Sequence, residues 1–306
     1  MNIDSGFNQC DAQELETGAG GHRRERGLNR FAASDGADIA YHDEGEGRPL
    51  VFLHGLMANA EFFEPQRALA GEGFRVVRVD LRGHGRTASG HPPPDLGRLA
   101  ADVAELVQRL ELEGAIAIGW SLGASVVWRL LAGPEAPRFA AGVVVDMTPC
   151  VLNDEDWTLG LSQEHVDARR QAIADDFPAF ASAAGAAIFA SPLDERTEPM
   201  ARWASECFVR ADARAVGALW SSLVEEDFRE ALPGIAQPML VVRGAHSHLY
   251  GPETADHIVA ALPDARGLTF DRSGHSPHLE QPERFNRALR DFAATLPPVP
   301  ATELTA

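Results

Sequence analysis

Cysteine is scarce in this chain: Cys10, Cys150 and Cys207 are all there is in 306 residues. An odd, widely spaced set of that size excludes a disulfide framework and fits a reducing, cytoplasmic setting. Long apolar runs are missing as well. No stretch is long enough to span a bilayer, and the polar, acidic N-terminus lacks the apolar centre of a signal peptide. Cations are outnumbered, with 27 basic residues against 45 acidic ones and a formal net charge of −18. That balance excludes nucleic acid and anionic membrane surfaces as partners. A short basic run, His22-Arg23-Arg24-Glu25-Arg26, lies in a polar segment and reads as solvated. Internal repeats are absent, which excludes solenoids and propellers.

What is present suffices for a globular domain. The apolar fraction is 45%, ample for a sizeable core, and the length suits one domain carrying an inserted piece. Residues 1–27 are polar and without periodicity, so they are expected to form a mobile N-terminal tail; 298–306 are expected to form a C-terminal one. Two short segments flanking Ser34-Asp35-Gly36-Ala37 predict a hairpin. Apolar runs of buried-strand type follow at 49–54, 74–81, 115–120, 141–145 and 239–243, with a weaker one at 267–270. Helical patterns lie between them. In 96–110, for example, Leu99, Val103, Leu106, Val107 and Leu110 share one face. Such alternation predicts an α/β fold, a mostly parallel central sheet with helices on both faces. The alternation breaks between 151 and 233. Helix-like segments at 163–176, 198–209 and 213–225 carry scattered aromatics there, so this stretch is expected to be a helical cap inserted into a core made of 28–150 and 234–297.

The most informative run is Ile116-Ala117-Ile118-Gly119-Trp120-Ser121-Leu122-Gly123-Ala124. It puts a serine between two glycines, after a β-branched strand and before a helix, which is the context of a nucleophile elbow. The glycines leave steric room for a sharp, strained turn, and the helix N-terminus offers unpaired N–H groups to a developing negative charge. A serine hydroxyl needs a base, and the base needs an orienting acid. The candidate base is His275, on a glycine-containing loop between the last strand and the final helix, with His278 as the alternative.

From 28 to 296 the chain resembles the α/β-hydrolase superfamily. The resemblance rests on His54-Gly55 after the third strand, Asp80-Leu81-Arg82-Gly83-His84-Gly85-Arg86-Thr87 after the fourth, Gly119-Trp120-Ser121-Leu122-Gly123 after the fifth and Gly274-His275 after the last. It implies that Ser121 is the nucleophile and that the backbone N–H groups of Leu56 and Leu122 form the oxyanion hole, each contributing roughly 3 to 4 kcal/mol to the transition state. The acid departs from the commonest pattern. The loop after the seventh strand, Gly244-Ala245-His246-Ser247-His248-Leu249-Tyr250, has no carboxylate before Glu253. Asp146, ending the sixth strand, is the favoured acid, with Glu253 and Asp271 as alternatives. By the same resemblance Asp80 belongs to a structural turn and His54 shapes the oxyanion loop. Residues 83–88 lack a dinucleotide fingerprint, and a hydrolytic serine needs no metal or other cofactor, although His246 and His248 are available ligand types.

Pocket walls are expected from Leu56, Met57, Trp120, Leu122 and cap residues such as Trp157. These side chains are neutral and mostly apolar, which favours an uncharged acyl or alkyl group. The expected activity is therefore hydrolysis of small or medium uncharged esters or lactones through an acyl-enzyme. The alternatives are carbon–carbon bond hydrolysis, amide hydrolysis or perhydrolase chemistry on the same residues, and a receptor-like binding protein with little turnover. The partner is a small-molecule ester or lactone; cap residues Arg169, Arg170, Arg202 and Arg210 are the cations available for a charged one.

Overall fold

The computed structural model describes residues 27–299. The expected tails, 1–27 and 298–306, lie outside them except at their inner ends. The chain begins with β1 (Leu28–Ala32) and β2 (Asp38–Glu44), an antiparallel hairpin whose turn is closed by the Ala33 N–H donating to Ala37 O at 2.8 Å. β3 (Arg48–Leu53), β4 (Phe74–Val79), α1 (Leu96–Arg109), β5 (Ala115–Trp120), α2 (Leu122–Leu131) and β6 (Phe139–Val145) follow. Four helices then come in succession: α3 (Gln163–Asp175), α4 (Phe177–Ala187), α5 (Thr197–Val209) and α6 (Ala213–Glu225). β7 (Met239–Gly244), α7 (Pro252–Ala261), β8 (Ala265–Phe270), α8 (Pro277–Glu280) and α9 (Pro282–Ala293) complete the order.

The strands form one sheet in the order β1-β2-β4-β3-β5-β6-β7-β8, parallel from β4 to β8. Every residue of β5, and all of β3 except Arg48, is buried. Helices cover both faces of such strands, which is why they read as unbroken apolar runs rather than as alternation. α1 shows the complementary pattern: Leu99, Val103, Leu106 and Val107 are buried on one face, and Asp95 caps the first turn by accepting from the Arg98 N–H at 2.7 Å. The strand order reverses direction between β3 and β5. A crevice opens outside the carboxyl ends at such a point, and Gly55 and Ser121 stand there.

Two elements were not legible. A 3-10 helical segment, Ala60–Glu72, carries Pro65 inside it and a non-helical Phe63, so no helical period survives in its sequence. α4 is rich in alanine and shows no apolar stripe. It forms because Gly185 lets it lie directly on α5, where an added Cβ would overlap the Ser205 backbone.

The loop after β4 is anchored by charge. Arg82, almost fully buried, donates through Nε and Nη2 to Asp102 of α1 at 2.8 and 2.7 Å, and through Nη1 and Nη2 to Asp35 at 2.8 and 3.0 Å. The guanidinium holds the Asp35 carboxyl down at about 2. Asp102→Ala leaves a buried guanidinium with an exposed partner alone, and is expected to cost about 3 kcal/mol in a denaturant titration. A change below about 0.5 kcal/mol, the range of a surface pair, would contradict this account.

Candidate active site

Ser121 sits one residue beyond β5. Its N–H donates to Val145 O at 3.0 Å, which ties it to the end of β6. Its backbone lies at φ 53°, ψ −121°, strained for a residue with a side chain. Backbone contact on both sides imposes that turn. A Cβ at Gly119 would overlap the Gly123 carbonyl, and one at Gly123 would overlap the Leu53 carbonyl. Leu122 opens α2, so its N–H has no partner within the helix, and among the described residues neither it nor the Leu56 N–H makes a hydrogen bond. Gly55 lies against the elbow, where an added Cβ would be 3.2 Å from Ser121 Cβ. His54 fixes that peptide: its Nδ1 bonds Gly55 O at 2.8 Å, and its Nε2 accepts from the Leu81 N–H at 3.0 Å. Burial pushes the His54 pKa down to about 4, so the ring is neutral, with Nδ1–H as donor.

Asp146 follows β6 and His275 follows β8, 129 residues apart in sequence. Their side chains meet at 2.6 Å, His275 Nδ1 to Asp146 Oδ2, both almost fully buried. Asp146 stands at φ 48°, with its N–H donating to Val242 O at 2.8 Å. Oδ2 also accepts from the Ser247 hydroxyl at 2.5 Å, while Oδ1 is buried without a partner. Trp120 brings the loops together, its Nε1 donating to His275 O at 2.8 Å. Among the described residues no hydrogen bond joins Ser121 Oγ to the His275 ring. Such bonds are often long in unliganded sites.

The alternatives raised from sequence are engaged elsewhere. Both ring nitrogens of His278 are buried without partners between Phe63 and Trp120, and burial holds its pKa well below the usual value. Asp271 pairs with Arg284 at 2.6 Å, and Glu253 lies in the first turn of α7. Asp80 accepts from the N–H groups of Ala60 and Arg86 at 2.8 and 3.0 Å and stitches two loops together. His246 and His248 are exposed, and no group of His, Cys, Asp or Glu among the described residues is arranged to hold a metal ion.

Residues 50–288 match the model of the alpha/beta hydrolase family. The chain belongs to that family. A putative non-heme chloroperoxidase from Synechocystis sp. is 34% identical over 265 residues, covering 83% of this chain and 94% of that protein. A pimeloyl-acyl-carrier-protein methyl ester esterase from Nitrosomonas europaea is 28% identical, covering 81% and 97%. Among solved structures, an esterase from Exiguobacterium antarcticum superposes with a TM-score of 0.81 at 27% identity, covering 87% of this chain and 98% of that one. No helix among the described residues is long and apolar enough to cross a membrane.

Within this alpha/beta hydrolase, the surroundings of the elbow are aromatic. Trp120 is buried and stacks on Phe62, with ring centroids 5.7 Å apart, and Phe62 in turn meets Trp203 and Phe208 of α5 at 4.4 and 5.5 Å. Met57, at φ 67°, is buried beside the Gly55 turn. Trp157 lies elsewhere. It donates to Cys150 O and packs on His257 of α7 and on Arg229, so it braces the segment after β6. The sequence offers Ser247 only as a neutral residue of a loop without a carboxylate, and neither its bond to Asp146 nor the Phe62 contact with α5 is written there. Ser247 stands three residues after Gly244, where the resemblance called for the acid, and that position was its one available signal.

Glu280 was also overlooked. Buried beneath the His275 loop, it accepts from the Gly274 N–H through Oε2 at 2.8 Å and from the Ala190 N–H through Oε1 at 2.9 Å, joining the loop to the segment after α4. Burial raises its pKa to about 7, against the opposing pull of those two N–H groups. The folded state therefore binds this proton more tightly than the unfolded chain, and its contribution to stability falls as pH rises between the two pKa values. The stability of the native protein minus that of Glu280→Gln is expected to decrease from about pH 5 to about pH 8 in paired denaturation curves; a flat difference would contradict it.

Proposed function

We propose that this alpha/beta hydrolase cleaves carboxylic esters or lactones through a serine-bound acyl intermediate. The observation that carries the reading is the 2.6 Å bond between His275 Nδ1 and Asp146 Oδ2 at the strand edge that bears Ser121. With Nδ1–H committed to the carboxylate, the neutral ring has its Nε2 lone pair free to act as base. Ser121 Oγ attacks the ester carbon as its proton passes to Nε2. The carbonyl oxygen becomes an oxyanion held by the N–H groups of Leu56 and Leu122. Collapse expels the alkoxide, which takes the proton from Nε2. Water then repeats the sequence on the acyl-enzyme and releases the acid. Asp146 stays ionised throughout and stabilises the imidazolium.

His54 supports the oxyanion hole indirectly. Gly55 C=O and Leu56 N–H belong to one rigid peptide plane, so a hydrogen bond to the carbonyl aims the amide. The segment 151–233 acts as a cap, a reading supported by the Phe62 contacts with α5 and the Glu280 bond to Ala190. The aromatic surroundings suit a small or medium acyl group, and the esterase named among the relatives supports the reaction class.

A second reading is perhydrolase turnover, in which hydrogen peroxide replaces water in deacylation and releases a peracid. The relatives named as non-heme haloperoxidases favour it. It uses the same residues, and an assay for halide oxidation in acetate buffer with peroxide separates it from plain hydrolysis.

On a panel of nitrophenyl esters, Ser121→Ala is expected to lose about 10⁵-fold or more in kcat, and a fluorophosphonate to label Ser121. Asp146→Asn is expected to lose about 10⁴-fold, because the ring adopts the wrong tautomer. Near-native turnover in either variant would refute the assignment. His54→Phe is expected to lower kcat by about 10- to 100-fold through a misaimed Leu56 N–H; a change confined to KM would remove the oxyanion role.

A further inference from the structure

Glu280 holds two N–H donors that belong to different parts of the fold. Oε2 accepts at 2.8 Å from Gly274, the residue before the proposed base His275. Oε1 accepts at 2.9 Å from Ala190, which follows α4 in the proposed cap. The two oxygens of one carboxylate are fixed relative to each other, so the two amides are fixed as well. Backbone contact reinforces the link. A Cβ added at Gly274 would overlap the Phe189-Ala190 peptide, and one added at Gly244 would overlap the Gly274 carbonyl. The peptide before His275 is thus a layer between the end of β7 and residues 189–190, with glycine at both contacts.

A packing role does not call for a glutamate here. Glu280 is almost fully buried and forms no ion pair among the described residues. Burying a carboxylate without a cation is unfavourable, and an apolar side chain of similar volume would avoid that cost. Burial raises the Glu280 pKa, as the cost requires. A glutamine would fill the same space but present one acceptor, and its NH2 group would face the second N–H as donor against donor. An ionised carboxylate of this length accepts from both. His275 is tied elsewhere by Asp146 at its ring and by Trp120 at its carbonyl, at 2.6 and 2.8 Å. The tie through Gly274 differs from these two in reaching the segment 151–233.

We propose that Glu280 is a positioning residue that makes the placement of His275 depend on the cap: its carboxylate seats the His275 loop while residues 189–190 are docked against it. The inference rests on the reading above of His275 as base and of 151–233 as cap. Glu280 touches no reacting atom and acts through Gly274. Loss of a single N–H in the cap is therefore felt in the chemical step, and not in substrate binding alone.

The test measures kcat and KM for nitrophenyl acetate in the native protein, Glu280→Gln, Glu280→Asp, Ala190→Pro and the Glu280→Gln/Ala190→Pro double variant. Glu283→Gln, exposed on α9, is the control and is expected to match the native protein. Proline has no N–H, so Ala190→Pro removes the cap donor alone. Glu280→Gln and Ala190→Pro are each expected to lower kcat about tenfold or more, the range of a charge-assisted hydrogen bond, with a smaller change in KM. Glu280→Asp keeps the charge and is expected to recover part of the loss. The double variant is expected to lose little beyond either single one, because both remove the same link. Native kcat in both single variants, a loss confined to KM, or additive losses in the double variant would overturn the inference.

A second arm needs no turnover and stands even where Ala190→Pro does not fold. Amide hydrogen exchange in Glu280→Gln is expected to quicken about tenfold or more in both 186–192 and 270–277. A local bond would loosen one segment; protection kept in either would overturn the coupling. Coupled exchange in a native protein that neither turns over esters nor takes a fluorophosphonate would overturn the hydrolase reading and leave the coupling standing.

Discussion

The constraint on which the site depends is the direct backbone contact of α2 with β3, made at Gly123 against the Leu53 carbonyl. A helix can approach a strand so nearly only where no side chain intervenes. That approach forces the chain between β5 and α2 through the strained conformation at Ser121, which costs about 1–3 kcal/mol. The cost is offset by the buried sheet on either side. The same contact leaves the Leu122 N–H without a partner and sets the Gly55-Leu56 peptide against the serine. A cluster of consequences, the half-buried hydroxyl, two amides without partners among the described residues and a crevice at the strand-order reversal, thus follows from one van der Waals limit.

The parallel register extends the constraint to the acid. Trp120 is level with Val145, and Val145 with Val242, so β5 and β6 end together, β7 runs on only to Gly244, and the residues that follow them share one edge. Asp146 is the residue after β6, and Ser247 comes from the loop after β7. Their 2.5 Å bond lets a loop without a carboxylate contribute to the proposed triad: the hydroxyl holds the Asp146 carboxylate that meets His275. Ser247 also accepts from the Leu249 N–H at 3.3 Å, which directs its own proton toward the carboxylate.

Much of this was legible in the chain. Buried parallel strands write themselves as apolar runs, so the α/β class, most strand positions and the elbow glycines could be read directly. Asp146 was reached by elimination, because strand ends carry charged residues for many reasons. Other features left no local trace. Phe62 and Phe63 belong to a proline-containing 3-10 segment with no periodic signal. α4 owes its stability to a partner helix rather than to an apolar stripe. Trp157 illustrates the converse: an aromatic in the right segment resembles a pocket wall until its neighbours, His257 and Arg229, are known. A bond between residues a hundred positions apart, such as Ser247 to Asp146, is a product of topology and invisible to spacing rules.

Four buried histidines crowd the same region, and burial alone does not separate them. Desolvation disfavours an imidazolium wherever no counter-charge is present. It drives His84 down to about 3, His54 to about 4 and His278 well below the ordinary value. His54 and His84 turn Nδ1 to backbone carbonyls, and His278 faces only aromatic rings. None of these surroundings repays a gained proton. His275 differs in one respect: its Nδ1 meets the Asp146 carboxylate at 2.6 Å, the contact on which the proposed mechanism depends. The sixth strand thus delivers a carboxylate to one of these four rings, which is why the proposed mechanism makes His275 the base.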